Sequence, residues 1–597
     1  MKKKLIYIDE LNIIGIFYSI FGKIFNYEIN YFYQSNFVHN SKTLKNILKF
    51  LKINQNGHLQ KSTLNHIKSL KKLLDNCNEI IKKKEFEDFI KFYKNKYELN
   101  NDGLEKFKNI IKFELYKNNI DKNFSSFFIL EDLQIHYKKI LYYPSNLNTI
   151  LIMRYIDNNI HINSSLFIIN TFFFFIFKFI KKLPNLFKNK INFNKKEISN
   201  ANNNIYKNYD FGFIPHKGFK YDRFFKKNYF FTNSRNKPNI LNIFFNDIDR
   251  LSFRYIKRFN LSYINLKQYK ISISEFYLVF REYKPFLFFK KTFYKILFLK
   301  IIYLINTNND QIKSLNNFPR KIYIHYDVLC SKYLLFAFHL NNIQTFASQE
   351  RSRQHIYLPY LFIDNYFIIS DYFKKELKKY GYFIKNFIPM GFSRSKYNQN
   401  KKVYLGNFFP KQKYKGIVSC FGLYPFPENK VSGYCEAGVS EESNLKFIND
   451  IHSLSKNYKD YLFILRFKNT NFFDDKIFSK ALKKIKNANN LFFQDNYKKV
   501  NSYSIAHNSK IIISKWTSIA EELLSLNKKV IFYDNENYIS QYDYFLKNYE
   551  FLCKDYDDLL KKFDFLLYNN NKILSEYGHQ YEYNEYYNKI LRYLLKE

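Results

Sequence analysis

The sequence predicts an α/β protein made of two doubly wound halves that face each other across a cleft. Two series of short apolar runs, rich in Ile, Val, Phe and Tyr, alternate with helical segments; one ends near residue 390 and the other begins near residue 416. Each step has the length of a strand and helix in a parallel sheet. Between the series, residues 398–415 are polar and basic and contain Pro410, which is typical of a linker.

The N-terminal half, residues 1–397, is predicted to open with a strand–helix–strand unit. An apolar run over 5–8 leads into a helix over about 11–25, and a second apolar run follows over 29–33. Regular alternation resumes near residue 321. Strands are predicted there over 322–326, 343–347, 365–369 and 387–390.

Two unusual segments separate these parts of the N-terminal half. Residues of about 41–190 are strongly charged, with Leu and Ile at three- and four-residue spacings, and are predicted to form a helical insertion. Residues of about 191–240, rich in Asn, Lys and Tyr, are predicted to be an irregular segment. The apolar run 166–180 is shorter than the ~20 residues that span a bilayer, which leaves a buried helix and an interfacial helix as the main alternatives.

The C-terminal half, residues 416–597, is predicted to be a second doubly wound domain. Its apolar runs are short and β-branched or aromatic, as buried parallel strands require. Strands are predicted over 417–421, 461–466, 491–494, 511–514, 530–533 and 551–553.

Composition limits the classes of partner. The chain has 96 Lys and Arg against 52 Asp and Glu, a net charge of +44. Because Lys is spread along the chain with Asn, Ile, Phe and Tyr, as AT-rich codons would produce, no basic arm or patch predicts nucleic-acid binding. Attraction to an anionic membrane surface is the favoured alternative. The five scattered cysteines form no CxxC pair, which fits a reducing cytoplasm and indicates neither a zinc site nor a disulfide framework.

The most informative stretch is 509–534, SKIIISKWTSIAEELLSLNKKVIFYD, in which two strand-length runs flank a short helix. Ser518 is the predicted N-cap, and Glu521 completes a capping box. The helix would begin at the carboxyl end of a strand, where open α/β sheets bind ligands. Thr517 and Ser518 are therefore a candidate diphosphate site. Glu522 flanks the buried stripe and is placed to accept hydrogen bonds from sugar hydroxyls.

This stretch resembles GT-B glycosyltransferases and the related UDP-N-acetylglucosamine 2-epimerases. In the epimerases a pair of small residues precedes Ile, one further residue and Glu-Glu, and Gly-Lys-Pro-Val follows after a short helix. Here 517–522 read TSIAEE and 527–530 read NKKV. The resemblance implies Rossmann-like domains in a GT-B arrangement, and it gives Glu522 the role of binding the nucleotide ribose. The paired glycines of the family are Thr517 and Ser518 here, and Trp516 replaces a small polar residue.

In the N-terminal half, ASQER at 347–351 and MGFSR at 390–394 are similar to bacterial surface-polysaccharide biosynthesis proteins of the same fold. The resemblance implies a glycosyltransferase that moves a sugar from a nucleotide-sugar donor to capsule, lipopolysaccharide or a similar glycan at the cytoplasmic membrane face. The implied partners are the nucleotide sugar and a glycan or lipid-linked acceptor, with no cofactor. Two alternatives stay open: a nucleotide-sugar 2-epimerase, and a catalytically degenerate GT-B scaffold.

Charged residues near predicted strand ends supply candidate chemistry. Arg466 and Lys468 are candidates for neutralising the donor diphosphate without a metal ion. Transfer also needs a base that takes the proton of the acceptor hydroxyl. The candidates for this catalytic role lie in the N-terminal half and are Glu350, His355, Asp9 and Glu10.

One tripeptide favours a different enzyme class. Residues 247–249, Asp-Ile-Asp, match the DxD that holds a divalent cation in GT-A glycosyltransferases, since carboxylate oxygens suit a hard metal. The alternative is the charged face of an ordinary helix, in a chain with 52 acidic residues. We therefore predict no metal site.

Overall fold

The structure of the 597-residue chain is a computed structural model. The residues that it describes form three parallel sheets. The residues that it describes are 3–11, 13–34, 42–55, 71, 73–120, 137–143, 160–162, 208–215, 239–245, 262–266, 292–315, 317–325, 330–349, 358–392, 414–423, 441–467, 476–486, 488–493, 501–515, 517–535, 549–569 and 583–595.

The first sheet confirms the predicted strand–helix–strand opening. Its elements are β1 (Lys3–Leu11), α1 (Ile13–Ile24), β2 (Glu28–Gln34), α2 (Lys42–Phe50), β3 (Asn54–Gln55), β4 (Tyr137–Tyr143) and β5 (Ile160–Ile162). The strand order is β3-β2-β1-β4-β5, and all pairs are parallel. Gly22 lets α1 lie close to the sheet, because a Cβ there would collide with Ile6 and crowd Ile29.

Helices of the predicted insertion pack beside the second sheet. They are α3 (Lys84–Lys96) and α4 (Asn101–Ile120). Aromatic rings join them to a later helix, α5 (Thr292–Lys313), where Phe298 lies 4.2 Å from Phe89 between ring centroids. The segment predicted as a helical insertion, about 41–190, also contains β3, β4 and β5 of the first sheet.

The second sheet has seven strands. Its elements are β6 (Phe211–Ile214), β7 (Ile240–Phe245), β8 (Tyr263–Leu266), β9 (Lys321–Ile324), α6 (Lys332–Leu340), β10 (Gln344–Ser348), β11 (Phe362–Ile368), α7 (Tyr372–Lys379) and β12 (Phe383–Pro389). The strand order is β12-β11-β10-β9-β6-β7-β8. Strands β9 to β12 confirm the prediction. The segment predicted to be irregular, about 191–240, contains β6, whose four residues with a central glycine give little periodic signal.

The third sheet confirms all six strands predicted for the C-terminal half. Its elements are β13 (Gly416–Gly422), α8 (Glu441–Asn457), β14 (Tyr461–Phe467), α9 (Lys476–Lys486), β15 (Leu491–Phe493), α10 (Ser502–His507), β16 (Ile511–Ser514), α11 (Ser518–Leu524), β17 (Val530–Tyr533), β18 (Leu552–Cys553) and α12 (Tyr556–Tyr568). The strand order is β15-β14-β13-β16-β17-β18.

The predicted α/β fold with doubly wound parallel sheets is thus confirmed, and the N-terminal half contains two of the three sheets. Counted along the chain, the first strand of each sheet lies between the second and the fourth strand of that sheet. The strand order therefore reverses direction at the first strand. These reversals fall between β1 and β4, between β6 and β9, and between β13 and β16. Open α/β sheets bind ligands at such switch points, outside the carboxyl ends of the strands.

The last helix, α13 (Tyr583–Leu595), packs on the second sheet although it ends the C-terminal half. Its apolar face, including Ile590, shares a buried cluster with Phe213 and Tyr323. The Lys321 ammonium also donates a 3.0 Å hydrogen bond to the carbonyl of Leu594. Packing therefore joins this helix, which the prediction assigned to the C-terminal half, to the second sheet.

Several predictions lie outside the described residues. They concern the apolar run 166–180, the Asp-Ile-Asp motif at 247–249 and most of the linker, 398–413. Among the helices that the structure describes, none has both the length and the apolar character needed to cross a membrane.

Candidate functional site

The switch point of the third sheet brings together groups that the sequence placed at strand ends. Phe421, near the carboxyl end of β13, pairs with Arg466 on β14 and with Ser514 on β16. The backbone N–H of Lys515 continues this pairing, with a 3.0 Å hydrogen bond to the carbonyl of Phe421. Two cationic residues therefore flank β13 at the edge where a ligand is expected.

Arg466 is 4% exposed and is the next-to-last residue of β14, which continues one residue beyond the predicted strand end. The neighbouring candidate Lys468 lies outside the described residues. Beside Arg466, the ring of Phe467 occupies the space where a side chain of Gly422 would lie. Gly422 therefore cannot be replaced without moving this ring at the end of β13.

Lys515 was not singled out by the sequence. It is 4% exposed, and its ammonium donates to the hydroxyl of Ser443 and, over 3.0 Å, to Oδ1 of Asn535. Ser443 lies in the first turn of α8 and donates a 2.7 Å hydrogen bond to the same Asn535 oxygen. A buried cation is thus held by polar groups from α8 and from the end of β17, which fixes it at the switch point.

The start of α11 differs from the prediction. Thr517, not Ser518, is the N-cap, and Ser518 is the first helical residue. No side chain caps the helix, because the hydroxyl of Thr517 lies 2.9 Å from the hydroxyl of Ser514 instead. The predicted capping box of Ser518 and Glu521 is therefore wrong. Both Thr517 and Ser518 are half-buried at the carboxyl end of β16, where the prediction put them.

Glu522 is buried between α10 and α11. It is 2% exposed, and its Oε2 accepts a 2.6 Å hydrogen bond from the hydroxyl of Tyr503. Its neighbour Glu521 is also 2% exposed, contrary to the surface position of a capping residue. The ribose-binding role of Glu522 stays a prediction, and the bond from Tyr503 helps to orient its carboxylate.

The candidate bases of the N-terminal half do not form one observed cluster. Glu350 and His355 lie outside the described residues. Asp9 and Glu10 lie within β1, where Glu10 pairs with Tyr33 of β2. They therefore belong to the first sheet, whereas residue 350 follows β10 of the second sheet by two residues.

The second sheet offers a histidine that the sequence analysis placed inside a strand. His325 follows β9 directly at the switch point. Its backbone N–H donates a 3.1 Å hydrogen bond to the carbonyl of Ile214 at the end of β6. Its ring lies 6.2 Å from the ring of Phe213 between centroids. Gln349 and Ser370, both buried, follow the neighbouring strands β10 and β11. The predicted strand 322–326 included His325, so the sequence would have indicated this residue only if the end of β9 had been predicted correctly at residue 324.

Comparison with known families supports one of the predicted resemblances. Residues 334–563 match a family model. Its description is Polysaccharide biosynthesis PFTS motif protein. The match runs from α6 to α12, so it includes strands of both the second and third sheets. The predicted similarity to polysaccharide biosynthesis proteins is confirmed over these residues. A comparison with curated proteins finds no match.

Solved structures of similar fold include two epimerases and a polymerase. The UDP-GlcNAc 2-epimerase from Neisseria meningitidis, bound to UDP-GlcNAc, has 12% identity and a TM-score of 0.41, covering 65% of this chain and 99% of that chain. The UDP-GlcNAc 2-epimerase from Methanocaldococcus jannaschii has 11% identity and a TM-score of 0.38, covering 64% and 98%. The wall teichoic acid polymerase TagF has 11% identity and a TM-score of 0.31, covering 66% and 85%.

Proposed function

We propose that this chain is a glycosyltransferase that moves a sugar from a nucleotide-sugar donor to a surface glycan at the cytoplasmic membrane face. The observation that carries the proposal is the pair of buried cations, Arg466 and Lys515, on the two sides of β13 at the switch point of the third sheet. The polysaccharide biosynthesis model that matches residues 334–563 supports a role in sugar chemistry.

In this proposal the donor diphosphate binds at the carboxyl end of β13, near Arg466 and Lys515. Negative charge develops on the nucleoside diphosphate in the transition state as it departs. The two positive side chains stabilise this charge. The hydroxyls of Ser514 and Thr517 lie at the same edge and supply further hydrogen bonds. Because α11 has only seven residues, these side chains contribute more than the end of the helix. No cofactor or metal enters the proposal.

Glu522 completes the donor site by accepting hydrogen bonds from the ribose hydroxyls. An ionised carboxylate has about four acceptor positions, so it can accept from ribose hydroxyls as well as from protein donors such as Tyr503. Tyr503 helps to hold the carboxylate in one orientation and thereby reduces the entropy that is lost when a nucleotide binds.

The acceptor is proposed to bind at the carboxyl edge of the second sheet. His325 lies at the switch point there, and histidine is the residue most often used as a general base near neutral pH. Glu350 and His355, two and seven residues after β10, stay candidates for the same role. The base removes the proton of the acceptor hydroxyl as that oxygen attacks the anomeric carbon of the donor.

A screen of UDP-, GDP- and CMP-sugars with the full chain tests the proposal. We expect slow donor hydrolysis, or transfer once a glycan acceptor is supplied, detected by release of the nucleotide and identification of the sugar product. An isomerised donor without transfer would identify an epimerase. Absence of both turnover and nucleotide binding would leave the scaffold alternative.

A pair of variants assigns the activity to the proposed site. Arg466→Gln should abolish turnover, because it removes a charge beside the leaving group. Arg320→Gln is the matched control, since Arg320 precedes β9 at the amino edge of the second sheet and is exposed. Equal turnover in the two variants would contradict the placement of the donor diphosphate.

A further inference from the structure

We infer that α1 is a docking surface for an anionic lipid bilayer. One stripe of this helix points away from the sheet and consists of large apolar side chains at helical spacing. Their exposed fractions are 59% for Phe17, 36% for Ile20, 60% for Phe21, 68% for Ile24 and 66% for Phe25, which follows the helix.

The opposite face of α1 already has its packing partner. Ile16, Ser19 and Gly22 are buried, and Gly22 lies against Ile6 of β1 and Ile29 of β2. A helix that covers one sheet normally carries polar side chains on its outer face. Here the outer face is as apolar as the inner one. This pattern is typical of a helix that packs on its own sheet with one face and on a second apolar surface with the other.

A groove continues the apolar surface beside the stripe. It is a cavity of about 580 Å³ between α1 and the strands β1 and β4. Its walls include Tyr18, Phe21 and Phe25 from the helix side and Leu141 and Tyr143 from β4. This shape and lining suit an acyl chain that leaves the bilayer next to the inserted stripe.

Charge favours a bilayer over a second copy of the chain as the occupant. Lys4 lines the groove, and Lys23 lies next to the stripe near the end of α1. Long basic side chains in such positions reach the headgroups while neighbouring apolar residues enter the acyl region. Two copies with a net charge of +44 each would repel one another, whereas an anionic membrane attracts this charge.

The inference deepens the membrane location in the proposed function and rests on that location. The test is sedimentation of the full chain with phosphatidylcholine vesicles, with and without phosphatidylglycerol, at low and high salt. Binding should require the anionic lipid and fall as salt rises. The triple variant Phe17→Ser, Phe21→Ser, Phe25→Ser should lose at least about tenfold in bound fraction.

Phe50→Ser is the matched control, because Phe50 is 86% exposed on α2 of the same sheet unit. It should bind vesicles as the wild type does. Hydrogen exchange of the β1 and β2 amides, compared between the triple variant and the wild type, verifies that its first sheet is intact. A second probe is Phe21→Trp in a Trp516→Phe background, because Trp516 is the one native tryptophan of the sequence. Brominated lipids should quench its emission more strongly than that of Phe50→Trp in the same background.

The outcomes separate the two proposals. If the wild type ignores vesicles of both compositions, the membrane location fails. If the wild type binds but the triple variant binds equally well, the location stands and the assignment to α1 is overturned. The emission of the Phe21→Trp variant could also be blue-shifted without lipid and stay unchanged when vesicles are added. That result would show that protein covers the stripe, and it would overturn the assignment to α1.

Discussion

The hydroxyl of Tyr503 donates a 2.6 Å hydrogen bond to Oε2 of Glu522, and this bond joins α10 to the helix that begins at the candidate donor site. Glu522 is 2% exposed, so its carboxylate is held in a largely dehydrated place. A carboxylate in such a place accepts a limited set of donors in fixed directions. This relationship gives two predictions that treat the two residues differently.

The first prediction concerns the charge of Glu522. Glu522→Gln should weaken nucleotide binding by roughly 1.5–3 kcal/mol, the range for a hydrogen bond to a charged group. The adjacent Glu521→Gln is the control and should leave the affinity unchanged. Calorimetry with the nucleotide found in the donor screen measures both. Equal losses of affinity in the two variants would show that neither carboxylate has a specific role in binding.

The second prediction treats Tyr503 as a positioning residue. Tyr503→Phe keeps the ring and removes the hydroxyl that donates to Glu522. Nucleotide affinity should fall by about 1 kcal/mol, less than in Glu522→Gln, because the carboxylate keeps its charge. In the double variant the two losses should not add, since both act through one carboxylate. Fully additive losses would show that Tyr503 does not act through Glu522.

The third prediction compares two lysines on opposite edges of the third sheet. Lys515→Met should lower nucleotide affinity by about 1.5–3 kcal/mol, because it removes a cation from the proposed diphosphate site. Its stability should change little, since Ser443 and Asn535 keep their own 2.7 Å hydrogen bond. Lys510→Met is the control, as Lys510 precedes β16 at the amino edge. An affinity loss of the same size at Lys510 would indicate a general effect of net charge.

The strands of the C-terminal half could be predicted because their apolar runs are bounded by polar, helix-forming segments. The run III at 511–513 matches β16 within one residue, and the run VIF at 530–532 matches β17 within one residue. The same method missed β6, β7 and β8. In this chain Ile, Phe, Tyr and Asn are abundant everywhere, so a run such as ILNIFF in β7 does not differ from the apolar runs around it.

The candidate site was predictable only where one element supplied the signal. Arg466 and Glu522 could be found because each has a fixed position relative to its own strand or helix. Lys515 could not be found among 96 basic residues. Its partners Ser443 and Asn535 are 72 and 20 residues away in the chain, and only the strand order brings them together.

The fourth prediction concerns a partly buried ion pair that attaches α4 to the second sheet. The Lys106 ammonium donates to Asp364 over 2.8 Å, and Thr345 donates to the other Asp364 oxygen from its N–H and its hydroxyl. Asp102 and His339 also contact the Lys106 ammonium. Burial pushes the pKa of Asp364 upward, but the Lys106 charge and these hydrogen bonds outweigh it and leave the pKa below its usual value.

A carboxyl whose pKa is lowered by folding stabilises the folded state above its unfolded pKa, about 3.9. This contribution is lost as pH falls through the folded pKa. Asp364→Asn should therefore weaken the attachment of α4 at neutral pH by about 1–3 kcal/mol and reduce its dependence on acid pH. Hydrogen exchange of α4 amides measures this locally. The exposed Asp371, changed to Asn, is the control, and equal effects would contradict the prediction.

The last prediction concerns the division of labour between the halves. The proposed donor groups, Arg466, Lys515 and Glu522, lie on the third sheet, whereas the candidate bases lie in the N-terminal half. A C-terminal fragment should therefore bind nucleotide and transfer no sugar. We expect closure of the halves to bring the acceptor to the donor and to exclude water, which protects an activated sugar from hydrolysis.

The packing of α13 determines how this fragment should be cut. A fragment over 401–597 would expose the apolar face that Ile590 and Leu594 bury against the second sheet, so it should aggregate more readily than a fragment over 414–575. The shorter fragment keeps all six strands of the third sheet. Calorimetry and a transfer assay on both fragments and on the full chain test the division. Transfer by either fragment alone would refute the two-half mechanism, and a folded 414–575 fragment that binds no nucleotide would remove the donor site from the third sheet.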